Sequence, residues 1–162
     1  MIQKRVKIAT PISDLIINDF NSEIIDLSDC LETRDHTVFS EYKKQELFHC
    51  ELQPIHQLTK KNIEYLKDIK IKKKDLKLIS FHLASCYKYP KTINNVFFPR
   101  GRKISKIELL KNAEKNFILI KKIFGDVKIA VENNNYYKTQ AYDFITDSDF
   151  ISSIVNQNKI NL

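Results

Sequence analysis

Residues 105–131 restrict the fold more than any other stretch. They read SKIELLKNAEKNFILIKKIFG, followed at once by DVKIAV. Ser105 and Glu108 have the spacing of a capping box. Ile107, Leu110, Ala113, Phe117, Ile120 and Phe124 recur at helical spacing, and Gly125 supplies a stop. The apolar run 127–131 (VKIAV) then reads as a strand, as does 76–83 (LKLISFHL) on the near side of the helix. A long helix between two short apolar strands is the grammar of a parallel crossover, because parallel neighbours cannot be joined by a tight turn.

The rest of the chain repeats that grammar. Residues 6–10 (VKIAT) predict a strand stopped by Pro11, and 13–20 one or two helical turns with Ser13 as N-cap. Residues 24–27 (IIDL) read as a second strand and 47–55 (LFHCELQPI) as a third. Residues 59–69 predict a helix capped by Thr59, with Ile63, Leu66 and Ile69 on one face. Asp147 or Ser148 starts a last helix through Phe150, Ile151, Ile154 and Val155, and 160–162 look like the start of another strand. The expectation is α/β: a parallel sheet of about five strands covered by helices. No internal repeat or linker divides the 162 residues, so one domain is expected. With two glycines there is no Gly-rich phosphate loop, neither dinucleotide fingerprint nor P-loop.

Composition narrows the setting. No run of about 18 apolar residues occurs, which argues against a membrane span, and MIQKRVKIAT has no apolar core of a signal peptide. Cys30, Cys50 and Cys86 are odd in number and scattered, which argues against a disulfide framework and for a reducing cytoplasm. None reads as a nucleophile. The net charge of +7 admits a nucleic-acid or phosphate partner. However, Lys far outnumbers Arg, as an AT-rich coding sequence would produce, and the densest run (Lys70, Lys72, Lys73, Lys74) reads as a solvated loop. A nucleic-acid partner is therefore disfavoured.

In parallel α/β folds, functional groups gather at the carboxyl ends of the strands. His49 in LFHCELQ, His82 in LISFHLAS and Glu132 at the end of VKIAVEN fall on or near such positions. Imidazole and carboxylate together suit Zn, Fe or Mn. Each residue also has an ordinary reading: a core histidine bonded to a backbone carbonyl, or a carboxylate that caps a helix or pairs with a lysine.

The segments FHCELQ, LISFHLAS and VENNNYY resemble three successive strand motifs of the multinuclear non-haem iron-dependent oxidative enzymes, which are xylose-isomerase-like TIM barrels; DSDFISSIV resembles the helix that follows. The resemblance implies that His49, His82 and Glu132 are metal ligands, that two or more iron ions are the cofactor, and that the substrate is a Cys-containing peptide. Two positions depart from the pattern: Cys50 stands where Gly is usual, and Phe81 where an acidic residue is usual. The resemblance also implies an N-terminal portion of a barrel, since a complete one takes about 250 residues. A partner chain carrying the remaining strands, or self-association through open sheet edges, is then expected. Other readings stand beside this one: a non-catalytic half-barrel binding subunit, or a different metal-dependent barrel such as a sugar isomerase or phosphodiesterase.

The flanking loops supply the substrate-side candidates. Asn133 is expected to fix Glu132 or its loop. Tyr136 and Tyr137 either line a cleft or pack as a pair under a loop. Residues 87–103 (YKYPKTINNVFFPRGRK) read as a long loop on the functional face. In it Arg100, Arg102 and Lys103 are candidates for an acidic peptide or phosphate, and Phe97 and Phe98 for stacking, against the alternative of a folded-over loop with solvated arginines. Asp26, Asp29, Glu32, Asp35 and His36 could offer a further ligand but read first as a solvated acidic loop.

Overall fold

The computed structural model describes residues 6–13, 16 and 22–162. Its centre is a five-stranded parallel sheet in the order β1 (Ala9–Pro11), β2 (Cys30–Arg34), β3 (Leu47–Cys50), β4 (Leu78–Leu83), β7 (Lys128–Asn133). A separate antiparallel hairpin pairs β5 (Lys91–Ile93) with β6 (Val96–Phe98). The helices are α1 (Ser22–Leu27), α2 (Lys60–Lys72), α3 (Lys106–Phe124) and α4 (Ser148–Asn158). Every strand of the main sheet lies beside its predecessor in that sheet. Because such crossovers are right-handed, successive helices return on the same face.

Strand periodicity then sorts the side chains. Phe48, Cys50, Ile79, Phe81, Leu83, Ile129 and Val131 are buried in one cluster with Leu66 and Ile69 of α2, Phe117, Ile120 and Phe124 of α3, and Phe150 and Ile154 of α4. The alternating positions Glu32, Arg34, Leu47, His49, Leu78, Ser80, His82, Ala130 and Glu132 face the other way, and most are only half-buried. The sheet therefore has one dry face under helices and one face of mixed polarity, and the candidate chemistry lies on the second.

The caps follow their sequence signals, with one change. Thr59 and Asn62 form a reciprocal capping box at α2. At α3, the Ser105 hydroxyl accepts from the Glu108 amide at 3.2 Å, but the Glu108 carboxylate turns away to Arg102. The buried stripe of α3 begins at Leu109, whereas Ile107 is 67% exposed. Gly125 ends the helix at φ 61°, a left-handed conformation that favours glycine. Asn161 then pairs in parallel with β7: its amide donates to the Ile129 carbonyl (2.9 Å) and its carbonyl accepts from the Val131 amide (3.0 Å).

Several expectations change. The lysine run read as a solvated loop is not one, since Lys70 and Lys72 end helix α2 and Lys73 is buried. The first strand is 9–11 and includes Pro11, and the third ends at Cys50. Residues 24–27 lie in helix α1, because the pair Ile24–Ile25 fits either period and is too short to decide. The second strand is instead 30–34, where Leu31 and Thr33 are buried and Glu32 and Arg34 face the open side; the stretch read as a solvated acidic loop is partly strand. Residues 87–103 hold the β5–β6 hairpin, and Tyr87 bridges to Lys103 across its base. The turn expected at 13–20 lies largely outside the described residues. No described helix is long and apolar enough to cross a membrane.

Candidate functional site

β3, β4 and β7 are neighbours, and their register places His49 opposite Ser80 and His82 opposite Glu132. The side chains of His49, His82 and Glu132 meet on the open face. His49 Nδ1 lies 2.6 Å from Glu132 Oε1, and His49 Nε2 lies 2.7 Å from His82 Nε2. The two rings stand edge to face, 4.5 Å between centroids at 86°. Ser80 Oγ donates to the same Glu132 oxygen and lies 3.4 Å from His49 Nδ1.

The chemistry of these atoms orders the hydrogens. An ionised carboxylate only accepts, so His49 donates from Nδ1 and, in its neutral form, presents the Nε2 lone pair to His82. The hydrogen bond to Glu132 raises the His49 pKa against the opposing effect of burial, and the charge of Arg34 also lowers it. Burial lowers the His82 pKa, and the neighbouring His49 lowers it further. Burial pushes the Glu132 carboxyl up, but the hydrogen bonds from His49 and Ser80 outweigh it and leave it below its ordinary value. The cluster thus combines a carboxylate, an oriented His49 ring whose protonated form the carboxylate favours, and an imidazole that burial keeps neutral.

A cleft of about 490 Å³ opens over the two rings. Arg34 and His36 line it from the end of β2, Glu51 and Gln53 from the segment after β3, Thr92, Asn95 and Phe97 from the hairpin, and Asn134 from the segment after β7. These are the carboxyl ends of the strands. A larger groove, about 730 Å³, lies at the amino ends of β4 and β7 between Lys70, Lys77, Lys122 and Lys128, and none of the His–Glu cluster lines it.

Of the other candidates, Phe97 and His36 line this cleft and the rest fall outside it. Asn133 is exposed at the end of β7. Tyr136 and Tyr137 pack around the buried Tyr142, at 6.5 and 5.5 Å between centroids, and the Tyr142 hydroxyl accepts from the Phe97 amide at 2.9 Å. The asparagines and tyrosines after Glu132 therefore divide the work: Asn134 lines the cleft, and the tyrosines support the hairpin that walls it. Arg100 donates to the Tyr89 carbonyl (2.9 Å), Arg102 forms a two-pronged ion pair with Glu108 (2.6 and 3.1 Å), and Lys103 pairs with Asp143 (2.5 Å).

Arg34 and Gln53 are lining residues that no sequence motif singles out. The signal for Arg34 was present as the alternation Leu31, Glu32, Thr33, Arg34, but charged residues at every second position look like a loop when the buried partners are few. Asp35 is likewise engaged: it accepts from the Glu51 amide at 2.6 Å and from the Tyr65 hydroxyl, tying the end of β3 to α2.

No protein-family model matches the chain, and no curated protein matches it.

The donor set can be tested against a metal. Two cis ligands at about 2.0–2.1 Å from one ion stand about 3 Å apart, close to the separation of the two Nε2 atoms. Glu132 addresses the far nitrogen of His49, where a carboxylate orients a ligand histidine. No group of three or more His, Cys, Asp or Glu side chains suited to a metal occurs among the described residues. The residues fit two positions around a single divalent ion and do not by themselves fit a multinuclear iron centre.

Proposed function

We propose that this chain contributes the imidazole side of a divalent-metal site at the mouth of a (β/α) barrel-type sheet, in an oxidative enzyme of the xylose-isomerase-like kind that its strand motifs resemble. The observation that carries the reading is the pair of Nε2 atoms facing each other 2.7 Å apart while Glu132 holds the opposite nitrogen of His49. His49 and His82 would hold the ion, Glu132 would fix the tautomer and angle of His49, and Ser80 would hold Glu132. A bound divalent ion there supplies Lewis acidity and, if it is iron, access to dioxygen chemistry on a peptide substrate. The remaining donors would be solvent, substrate or side chains of a partner chain.

The chain's own residues define what such a site does around the ion. The cleft orients the substrate between the β2 end and the hairpin. His82, kept neutral by burial, presents a lone pair at neutral pH. The Glu132–His49 bond keeps a proton at Nδ1, so in the neutral ring the lone pair that would bind the ion is on Nε2.

Titration of the metal-free protein with cobalt(II), followed by its visible absorption, tests this reading. The expected result is one weak site, lost in His82→Ala and weakened about 10–100-fold in Glu132→Gln. Absence of a saturable spectrum in the wild type, or an unchanged spectrum in His82→Ala, would refute it. A second reading is favoured by the same short contact, which is already a hydrogen bond: Glu132, His49 and His82 form a proton relay that acts as general base at His82. It predicts no cobalt site.

A further inference from the structure

We infer that Arg34 anchors an oxyanion group, a carboxylate or a phosphate, on the molecule that occupies the His49–His82 cleft. Arg34 stands directly opposite His49 in the β2–β3 ladder, and both face the open side of the sheet. Its backbone is pinned at the strand end, where the Arg34 amide donates to Thr37 Oγ1 at 2.9 Å and Thr37 is buried.

The guanidinium is held but not consumed. Its Nε donates to Glu32 Oε1 at 3.0 Å, which leaves the Nη edge of the fork for a ligand. Glu32 itself lines a separate cavity with Leu47, Ser80 and Glu132, so the carboxylate and the guanidinium turn towards different spaces. Glu51 lines the cleft as well, yet forms no ion pair with Arg34 among the described residues. The Arg34 charge is felt at His49, whose protonation it opposes. The facing wall offers neutral hydrogen-bonding groups, Thr92, Asn95 and Asn134. A rigid cationic fork beside two imidazoles, with neutral polar groups across from it, recognises an oxyanion while the rest of the ligand lies over the rings.

This inference rests on the cleft being the functional site, but it does not require a metal. The test follows the Arg34 Nε–H resonance of the metal-free full chain by NMR during titration with inorganic phosphate and, separately, with acetate. A saturable shift with phosphate assigns a phosphate-bearing ligand, and one with acetate a carboxylate. Arg34→Gln should weaken the effective anion at least about tenfold, read from resonances of neighbouring cleft residues. Arg34→Lys, which keeps the charge but loses the fork, should weaken it less, and Lys111→Gln on the exposed side of α3 should not change it. No saturable shift with either anion, or wild-type affinity in Arg34→Gln, would overturn the inference. Phosphate or acetate binding that persists where the wild type fails to bind cobalt would sustain the Arg34 anchor and refute the metal reading.

Discussion

Replacing Asn116 with Ala tests how the cleft is held in shape. Asn116 lies on the buried side of α3, and its amide donates to two backbone carbonyls, Pro54 and His56, each at 2.7 Å. Those carbonyls belong to the segment between β3 and α2, which carries Glu51 and Gln53 into the cleft. Gln53 is fixed from the other side, since its Oε1 accepts from the Ser85 amide at 3.1 Å. Alanine removes both donors and strands two carbonyls. Each stranded buried group costs about 1–3 kcal/mol, so the pair gives about 2–6 kcal/mol. The lower half applies, because the segment borders an open cleft from which water can reach it, which makes about 3 kcal/mol the working figure. For a chain of this size that lowers Tm by about 6–12 °C. Differential scanning calorimetry of wild type and Asn116→Ala reads it directly. Asn116→Asp, which keeps the shape and loses the donors, should be at least as unstable. A Tm within about 2 °C of wild type in both variants would show that the segment is held by packing around Ile55 and that the two bonds contribute nothing net.

Lys73 supplies a pH test. It is 2% exposed, and its ammonium meets the Ser40 carbonyl (2.7 Å) and Gln45 Oε1 (2.6 Å) and forms no ion pair with a carboxylate among the described residues. Burial pulls its pKa down from 10.5 to about 8. The unfolded chain therefore holds more protons between these values, and the Lys73 contribution to stability rises as pH climbs through that window. Urea denaturation at pH 7.5 and pH 10 should show that rise in the wild type relative to Lys73→Met, and equal pH dependence in both would refute it. At the start of α3, Ser105→Ala removes the oxygen that accepts from the Glu108 amide and should cost about 1 kcal/mol, or about 2–4 °C in Tm. Ser105→Asp should recover most of that loss, and a Ser105→Asp melt no better than that of Ser105→Ala would show that the cap bond is not what stabilises this end.

Much of the fold could be read from local pattern. Thr59, Ser105 and Gly125 marked helix ends because capping chemistry involves residues only a few positions apart. His49, His82 and Glu132 were picked out because each stands in an apolar strand run where a polar group is costly. The same local logic failed where the signal was short or charged. Ile24 and Ile25 formed a helix, and Glu32 and Arg34 proved to be strand residues whose outward side chains hid the buried Leu31 and Thr33. The hairpin at 91–98 depends on Tyr142, more than 40 residues away, and no nearby pattern announces it.

Sequence by itself determined the parallel α/β class, the helix ends at Thr59, Ser105 and Gly125 and the alternation that points His49, His82 and Glu132 away from the core, because those follow from side-chain period and backbone capping within a few residues. Only the tertiary structure decided which atoms meet. Strand register set Arg34 beside His49 and His82 beside Glu132, and rotamers turned Glu132 to the Nδ1 of His49 and the two Nε2 atoms toward each other. Packing also gave the tyrosines to Tyr142 and Arg102 to Glu108. Such choices depend on contacts between residues as many as 83 positions apart, and their energies are settled by burial and pairing that no single segment contains.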